Sequence, residues 1–287
     1  MSLNFTKLAA HMAIAAEGID LNRPLSGVDA AKLRQALLDS LVLCIRGQSL
    51  GPVVYREAMR CFGQLKSQTR SGAGHPEVPE IMILSSEDRD TQGDGKRIVV
   101  GAHWHSDDSY KAVPCSLTIL YGVEVPEVGG DTQFTNMYAT YDDLSAVMRA
   151  RVAGLKVSHK YDSSRKGTRI ATLKADEAQE LPDVVHPLVR THPETGRKAL
   201  YLNPNRMEGI VGLARAESDR LLDALIAHAV SERYQYRHRW RQGDVLIWDN
   251  RCTMHKANGD YPLGARRFMH RIMVEGTVPI GPPAPRR

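Results

Sequence analysis

Cysteine is scarce in this chain, and the spacings that mark a disulfide framework or a zinc finger are absent. The four cysteines are Cys44, Cys61, Cys115 and Cys252, and no two of them form a CxxC pair. Three stand in apolar surroundings, which is typical of reduced, buried thiols in a cytosolic protein. A metal-binding role for Cys252, close to His255, is the alternative, but single cysteines more often fill a core. We therefore predict a cytoplasmic protein with reduced thiols.

Long apolar runs and basic tails are missing as well. No stretch approaches the roughly 20 apolar residues that a membrane-spanning helix requires. The first segment, MSLNFTKLAAHMAIAAEGIDL, makes a poor signal peptide because His11 and Glu17 interrupt its apolar patch. The formal net charge of +5 is not concentrated in a tail or a helical stripe, so we predict no nucleic-acid partner and no membrane partner. A basic pocket for a small anion explains the positive excess equally well.

Aromatic residues are also few, at 6% of the chain. Trp104, Tyr110, Tyr161 and Tyr201 are candidates for the wall of a pocket, although for each one alone a place in the core is more common. The composition by itself therefore says little about the shape of a pocket.

Short strand-like segments outnumber helical ones. Helical periodicity is found at 30–40, 53–65, 137–154 and 214–232. Strand-like runs lie at 41–47, 80–85, 115–125, 131–136, 155–161, 186–192, 198–203, 234–240, 244–250 and 267–275. The segments HPETGRK (192–198) and RQGD (241–244) predict hairpin-type turns between neighbouring strands.

The order of these segments indicates the fold class. Strands and helices do not alternate regularly, which disfavours a doubly wound parallel sheet. We predict instead a mainly β fold with flanking helices, arranged as a jelly roll or barrel in a single domain that spans 1–287. Two long stretches without a regular pattern, 85–102 and 163–183, are predicted to be lid loops, because long loops in a compact domain are usually functional or disordered.

The segment HWHSDDSY, at 103–110, concentrates possible metal ligands. If it is a strand, side chains two positions apart share a face, so His105 and Asp107 offer an imidazole and a carboxylate on one side. A third ligand must come from elsewhere, and the best source is His255 in IWDNRCTMHKA (247–257). Two histidines and one carboxylate leave the opposite positions of an ion open, which suits non-haem Fe(II). The alternative is that these are unrelated polar residues, as is common for an isolated HxD.

Two arginines follow in GARRFMHRIMVEG (264–276). Arg267 and Arg271 lie four positions apart, so both face the same side of a strand. The apolar Phe268 and Met269 between them indicate that this strand is partly buried. Buried arginines are costly without anionic partners, and guanidinium groups suit carboxylates and sulfonates. The alternative is that the arginines are solvated charges at a sheet edge.

Four blocks of the sequence resemble the taurine and 2,4-dichlorophenoxyacetate dioxygenases. They are WHSD (104–107), GGDTQF (129–134), WDNRCTMHKAN (248–258) and RRFMHR (266–271), in the same order as in that family. The resemblance implies a double-stranded β-helix, a cupin-like jelly roll, in agreement with the strand-rich pattern. It also implies an enzyme that requires Fe(II), 2-oxoglutarate as cosubstrate and O2, and that forms a homodimer or homotetramer.

The resemblance implies roles for five residues in the binding of metal and cosubstrate. His105, Asp107 and His255 correspond to the iron ligands. Thr132 and Arg267 correspond to the residues that bind the distal carboxylate of 2-oxoglutarate.

The resemblance also implies contacts to a primary substrate. Arg271 is expected to bind its anionic group, and His75, in GHPEVPEI, aligns with a substrate-contacting histidine. His103 is not a ligand in the family. We expect His103 and Asp108, which flank the metal-binding motif, to line the substrate pocket.

The expected reaction is hydroxylation of a C–H bond of a small anionic substrate, coupled to decarboxylation of 2-oxoglutarate to succinate and CO2. The substrate class is a sulfonate, aryloxyalkanoate, sulfate ester or other carboxylate. Taurine itself is disfavoured, because the taurine enzymes carry a polar amide shortly before WH, where this chain has Gly101 or Ala102. Two other classes of protein are alternatives: a zinc hydrolase, for which the chain has no HExxH helix, and a non-catalytic metal- and 2-oxoglutarate-binding sensor.

Overall fold

The computed structural model describes residues 3–67, 74–86, 99–165, 181–262 and 264–283. Within these ranges the α-helices are α1 (Gly27–Ser40), α2 (Pro52–Met59), α3 (Met137–Asp142), α4 (Ala146–Val152) and α5 (Arg215–Ala229). None of the described helices is long and apolar enough to cross a membrane.

Short strands make up most of the regular structure. In chain order they are β1 (Asn4–Lys7), β2 (Ile14–Glu17), β3 (Val42–Ile45), β4 (Met82–Ser85), β5 (Leu117–Glu124), β6 (Thr132–Asn136), β7 (Lys156–His159), β8 (Val184–Pro187), β9 (Val189–Thr191), β10 (Lys198–Leu200), β11 (Met207–Ile210), β12 (Gln235–His238), β13 (Val245–Asp249), β14 (Thr253–Ala257) and β15 (Phe268–Val274).

In the described residues, one large sheet and three small ones enclose the inner core. The large sheet has the order β1-β2-β3-β13-β5-β15-β4, and the small sheets are β12-β6-β14, β11-β7-β8 and β10-β9. Leu120, Leu246 and Trp248 of the large sheet pack in one apolar cluster with Phe134 and Met254 of a small sheet. This architecture confirms the predicted mainly β fold with flanking helices, the double-stranded β-helix.

The outer face of the large sheet packs against the N-terminal helices. Alternation along β15 places Met269 in the inner cluster and Ile272 in an outer cluster that includes Leu33 of α1 and Tyr55 of α2. Both faces of this sheet are therefore buried. Arg271, two positions after Met269, is directed to the inner side, where a charged side chain is costly unless it has a partner.

Three predicted elements differ in the structure. The helix expected at 137–154 is divided into α3 and α4, because Ser145 starts a new helix by accepting a hydrogen bond from the N–H of Met148. The strand expected at 186–192 is divided into β8 and β9. The segment RQGD (241–244) does not close a hairpin: β12 pairs with β6 and β13 with β3 and β5, so this turn carries the chain from one layer to the other.

The hairpin predicted at HPETGRK (192–198) is confirmed, since Thr191 pairs with Lys198 across it. The two proposed lid loops lie mostly outside the described residues, which leave out 87–98 and 166–180.

Candidate active site

His105 and His255 are held side by side by backbone pairing between two distant segments. The N–H of His105 donates to the carbonyl of His255 at 3.0 Å, and the N–H of His255 donates to the carbonyl of His105 at 2.8 Å. The centroids of the two imidazole rings lie 4.2 Å apart. Phe134 of the inner core stacks on His255, with 6.1 Å between the ring centroids, so the pair faces the interior.

Asp107 reaches this pair through a turn. Within 103–110 only His105 takes part in β pairing, and Asp108 adopts the left-handed conformation with φ 56°. Oδ1 of Asp107 lies 3.6 Å from Nε2 of His105, and Oδ2 lies 3.6 Å from Nε2 of His255. The assumption that HWHSDDSY is a strand is therefore wrong, but the structure does bring His105, Asp107 and His255 together.

Hydrogen bonding and packing orient the two imidazoles. Nδ1 of His105 lies 2.6 Å from the carbonyl oxygen of His103, which requires Nδ1 to carry the proton and leaves the Nε2 lone pair for another partner. His255 packs against the ring of Trp248 at 4.6 Å between centroids. Each histidine thus presents Nε2 toward Asp107.

Asp107 is fixed by a buried polar network that the sequence did not indicate. The hydroxyl of Thr118 donates to Oδ2 of Asp107 at 2.6 Å, and Nδ2 of Asn250 donates to Oγ1 of Thr118 at 2.8 Å. Oδ1 of Asn250 accepts from the Asp107 N–H at 3.3 Å and from Nε1 of Trp248 at 3.2 Å. Thr118 and Asn250 therefore hold both the side chain and the backbone of Asp107.

The protonation states of the three side chains suit metal binding. Burial, reinforced by the positive charge that His105 can carry, lowers the pKa of His255 to about 3. Burial also lowers the pKa of His105. Burial raises the pKa of Asp107, but His255, Arg271 and His105 outweigh it and hold that pKa well below the usual range. At neutral pH both imidazoles are neutral and the carboxylate is ionised, as metal ligation requires.

The donor set fits a non-haem iron site. The ligand atoms of His105, Asp107 and His255 all lie within 4.8 Å of one another. The 3.6 Å separations are too long for hydrogen bonds, so the three groups face a shared space without satisfying one another. Two imidazole nitrogens and one carboxylate around an open face are the ligand pattern of Fe(II) oxygenases.

A tight turn at Gly129 and Gly130 lies next to Thr132 and Arg267, the two residues predicted to bind 2-oxoglutarate. Gly129 has φ +77°, and a Cβ there would lie 2.4 Å from the carbonyl oxygen of Asp260, so only glycine fits. The N–H of Gly130 donates to Oδ1 of Asp260 at 3.0 Å. This turn leads directly into β6 and fixes the position at which Thr132 begins that strand.

Arg267 and Thr132 meet at this turn. Nε of Arg267 donates to the carbonyl of Gly130 at 3.3 Å, and Oγ1 of Thr132 accepts from Nε1 of Trp240 at 3.0 Å. Arg267 is 8% exposed, and burial lowers its pKa. Among the described residues no carboxylate lies within ion-pair distance of its guanidinium. A buried guanidinium without an acidic partner is suited to bind a small anion.

Arg271 is directed at the cluster of His105, Asp107 and His255. Its Nη1 lies 3.8 Å from Oδ1 of Asp107, and its Nη2 donates to the weakly accepting sulfur of Met82 at 2.9 Å. Its Nε is buried and has no partner in the described part of the chain. Much of the hydrogen-bonding capacity of Arg271 is therefore available to a ligand next to the metal site.

His75 is not brought into this group. Its ring contacts His270 edge to face at 5.6 Å between centroids. His270 also faces Tyr55 of the outer core, on the side of β15 opposite to Arg271. The substrate contact expected for His75 stays a prediction that this placement does not support.

The remaining predicted residues lie at the margin of the site. Asp108 is buried and paired with Lys66 at 2.9 Å and Lys111 at 3.3 Å. His103 contributes its backbone carbonyl to His105. The sulfur of Cys252 groups with His192 and Asp249, apart from His105, Asp107 and His255. Asp249 there accepts hydrogen bonds from Arg251, so that second cluster is already occupied by a cation.

Sequence comparison assigns the chain to a family. The model of the taurine catabolism dioxygenase TauD, TfdA family matches residues 4–273. The alpha-ketoglutarate-dependent 2,4-dichlorophenoxyacetate dioxygenase of Cupriavidus pinatubonensis is 32% identical over 280 residues, covering 94% of this chain and 97% of that protein. Pentalenolactone F synthase of Streptomyces arenae is 35% identical over 265 residues, covering 86% of each chain.

Solved structures agree with this assignment. A taurine dioxygenase from Burkholderia xenovorans superposes with a TM-score of 0.84 at 32% identity, covering 98% of this chain and 92% of that one. A structure of AAD-2 with Mn(II) and N-oxalylglycine superposes with a TM-score of 0.80 at 28% identity, covering 97% of this chain and 99% of that one. With the matching family model and the arrangement of His105, Asp107 and His255, these similarities establish that the chain belongs to the TauD, TfdA family of dioxygenases.

Proposed function

We propose that this protein hydroxylates a C–H bond of a small anionic organic substrate and couples that step to decarboxylation of 2-oxoglutarate to succinate and CO2. It is a 2-oxoglutarate-dependent non-haem iron dioxygenase that uses O2. The observation that carries the proposal is a pair of arginines near a two-histidine, one-carboxylate cluster: Arg271 lies 3.8 Å from Asp107, and Arg267 is buried without an ion-pair partner among the described residues.

Each residue has a distinct part in this function. His105, Asp107 and His255 hold Fe(II), which with 2-oxoglutarate supplies the oxidising chemistry when bound. Arg267 and Thr132 bind the distal carboxylate of 2-oxoglutarate, at the rigid Gly130 turn. Arg271 binds the anionic group of the substrate and so determines which C–H bond faces the metal.

Several relatives act on small anions. They are named for 2,4-dichlorophenoxyacetate, for sulfate esters in Pseudomonas putida and for sulfonates in Saccharomyces cerevisiae. Sulfonates, aryloxyalkanoates, sulfate esters and other carboxylates are therefore the substrate classes that we propose here. Taurine is disfavoured, because Gly101 packs against the ring of His105, where an added Cβ would lie 3.2 Å from Cε1, and offers no polar side chain.

A substrate panel tests this proposal. Succinate release is measured with Fe(II), ascorbate, O2 and 2-oxoglutarate, in the presence of small sulfonates, aryloxyacetates, sulfate esters and neutral analogues. We expect one anionic class to stimulate release and neutral analogues to have no effect. Because Arg271 binds the anion, Arg271→Ala should abolish stimulation while iron binding is retained.

Arg266→Ala is the matched control for Arg271→Ala. Arg266 is an exposed neighbour that pairs with Glu124 at 3.2 Å, so its removal should leave stimulation unchanged. Stimulation that survives in Arg271→Ala would contradict the substrate role of that residue. An absence of 2-oxoglutarate turnover with every substrate would favour the sensor or zinc hydrolase alternatives.

The wider organisation of the protein also remains a proposal. We propose a single dioxygenase domain, with the stretches 85–102 and 163–183 as lids over the site. We further propose a cytoplasmic homodimer or homotetramer. Light scattering of the purified protein would measure the oligomeric state, and a monomer would contradict it.

A further inference from the structure

Arg206 is another cation on the metal side of the inner core that has no acidic partner in the described part of the chain. Its guanidinium carbon lies 4.0 Å from the ring centroid of Tyr161 and 5.1 Å from that of Tyr110. The two rings meet edge to face at 4.9 Å, and Nη1 of Arg206 donates to the backbone carbonyl of Tyr161. The guanidinium is thus held in one orientation by two aromatic faces, with donors left over.

The backbone connects Arg206 to the segment that carries the metal ligands. Its N–H donates to the carbonyl of Asn203 at 3.0 Å. Nδ2 of the buried Asn203 donates to the carbonyl of Ser106 and to Oγ of Ser109, both at 2.8 Å. Ser106 lies between His105 and Asp107, so the turn that carries Arg206 is fixed to the turn that carries two of the ligands.

Electrostatic effects agree with this placement. Burial and then Asp108 raise the pKa of Tyr110, while Arg206 and Arg271 both oppose that rise. Arg206 and Arg271 therefore both act on Tyr110.

When iron and 2-oxoglutarate are bound, the charges of the site do not balance those of Arg206 and Arg271. Fe(II), the Asp107 carboxylate, the 2-oxoglutarate dianion and Arg267 together sum to zero. Asp108 is already shared by Lys66 and Lys111. A substrate with a single negative charge would match Arg271 and leave the half-buried Arg206 without an anion.

We propose that Arg206 binds a second acidic group of the primary substrate, so that the preferred substrate is a dianion with one acidic group at Arg271 and the other at Arg206, between Tyr110 and Tyr161. This inference rests on the proposed function of the site and specifies its substrate class. It makes Arg206 a determinant of specificity, with no part in binding the metal or 2-oxoglutarate.

Binding measurements on matched pairs of anions test the proposal. The protein is loaded with Mn(II) and N-oxalylglycine, which support no turnover, and titrated calorimetrically with propane-1-sulfonate against 3-sulfopropanoate, and with phenoxyacetate against 4-carboxyphenoxyacetate. Because the second acidic group gains a charge-assisted hydrogen bond at Arg206, we expect the dianion of at least one pair to bind about tenfold more tightly than its monoanion, or more. Arg206→Gln should remove this preference and leave the affinity for the monoanion unchanged, and Arg206→Lys should retain part of it.

Arg197→Gln is the matched control. The Arg197 guanidinium also lies 4.0 Å from a tyrosine ring, that of Tyr138, but it is exposed and paired with Asp142 away from the site. Its removal should not change the ratio of the two affinities, and comparison of the melting temperatures of the variants separates loss of stacking from loss of anion binding.

Two results would overturn the proposal: equal or no binding of the two members of every pair by the wild-type protein, or a preference for dianions that persists in Arg206→Gln. Neither result bears on the iron- and 2-oxoglutarate-dependent reaction itself, which is followed separately as succinate release by the Fe(II) enzyme. If monoanions stimulate that release and dianions have no advantage, the dioxygenase assignment stands and the role of Arg206 fails.

Discussion

Replacing Thr118 with valine removes one hydroxyl from the network behind the metal ligands and keeps the shape of the side chain. Two consequences follow from the geometry. Oδ2 of Asp107 loses the charge-assisted hydrogen bond at 2.6 Å, and Nδ2 of Asn250 loses its 2.8 Å acceptor and keeps the weakly accepting Cys115 sulfur at 3.3 Å. A hydrogen bond to a charged group contributes about 1.5–3 kcal/mol, and loss of such a supporting contact typically weakens metal binding about 10–100-fold.

The expected result for Thr118→Val is therefore a dissociation constant for Mn(II) that rises about 10–100-fold. Titration of the purified protein, with free Mn(II) followed by electron paramagnetic resonance, measures it directly. The fold and the three ligands are unchanged in this variant. The affinity should fall nonetheless, because Asp107 loses the hydrogen bond that orients it.

Thr135→Val is the control for general destabilisation. Thr135 is equally buried and donates to the carbonyl of Ala229 at 2.6 Å, but it belongs to the contact between β6 and α5. It should lower the free energy of unfolding by about 1 kcal/mol and leave the affinity for Mn(II) unchanged. Equal affinities in Thr118→Val and the wild-type protein would refute the reasoning that Thr118 orients Asp107.

Two further predictions concern buried ionisable side chains. Arg267→Met should weaken 2-oxoglutarate binding by at least about 30-fold. It should leave the melting temperature of the unliganded protein unchanged or higher, because a buried guanidinium without a carboxylate is costly. Calorimetry and thermal unfolding measure the two effects, and an unchanged affinity for 2-oxoglutarate would contradict the role assigned to Arg267. Burial lowers the pKa of His159 from 6.5 to about 3, so between these pH values the unfolded chain binds a proton that the folded chain does not. The free energy of unfolding should therefore fall as the pH drops from 6.5 toward 3. His159→Gln should make the free energy of unfolding less dependent on pH in this range, and an unchanged dependence would show that His159 is not the group responsible.

Part of the site could be predicted from the types and spacing of its residues. The imidazole and carboxylate at His105 and Asp107, with His255 after an apolar strand, offered a possible metal-binding set from the residue types, and the resemblance to a known family implied the full set. The structure places these side chains together, although by a turn in place of a strand. The spacing of Arg267 and Arg271 predicted that both lie in one strand and face the same side; in the structure Arg271 lies in β15, whereas Arg267 is buried just before that strand, which is irregular between Phe268 and Met269.

Contacts that depend on pairing between distant segments could not be predicted from the sequence. Thr118 and Asn250 look like ordinary strand and turn residues, and only the register of β5 with β13 brings them beside Asp107. The RQGD turn resembles a hairpin, yet the strands on its two sides pair with different neighbours. Arg206 carries no motif, and its place near the metal site follows from hydrogen bonds of Asn203 to the ligand-bearing turn.

The central claim is that His105, Asp107 and His255 bind the iron with which this protein decarboxylates 2-oxoglutarate. The most direct test is the amount of succinate formed from 2-oxoglutarate under Fe(II) and O2 by the wild-type protein and by Asp107→Ala. We predict Fe(II)-dependent succinate from the wild-type protein and none above background from the variant, since Asp107 is the only carboxylate among the three ligands. No succinate from the wild-type protein, or equal amounts from both proteins, would contradict the claim.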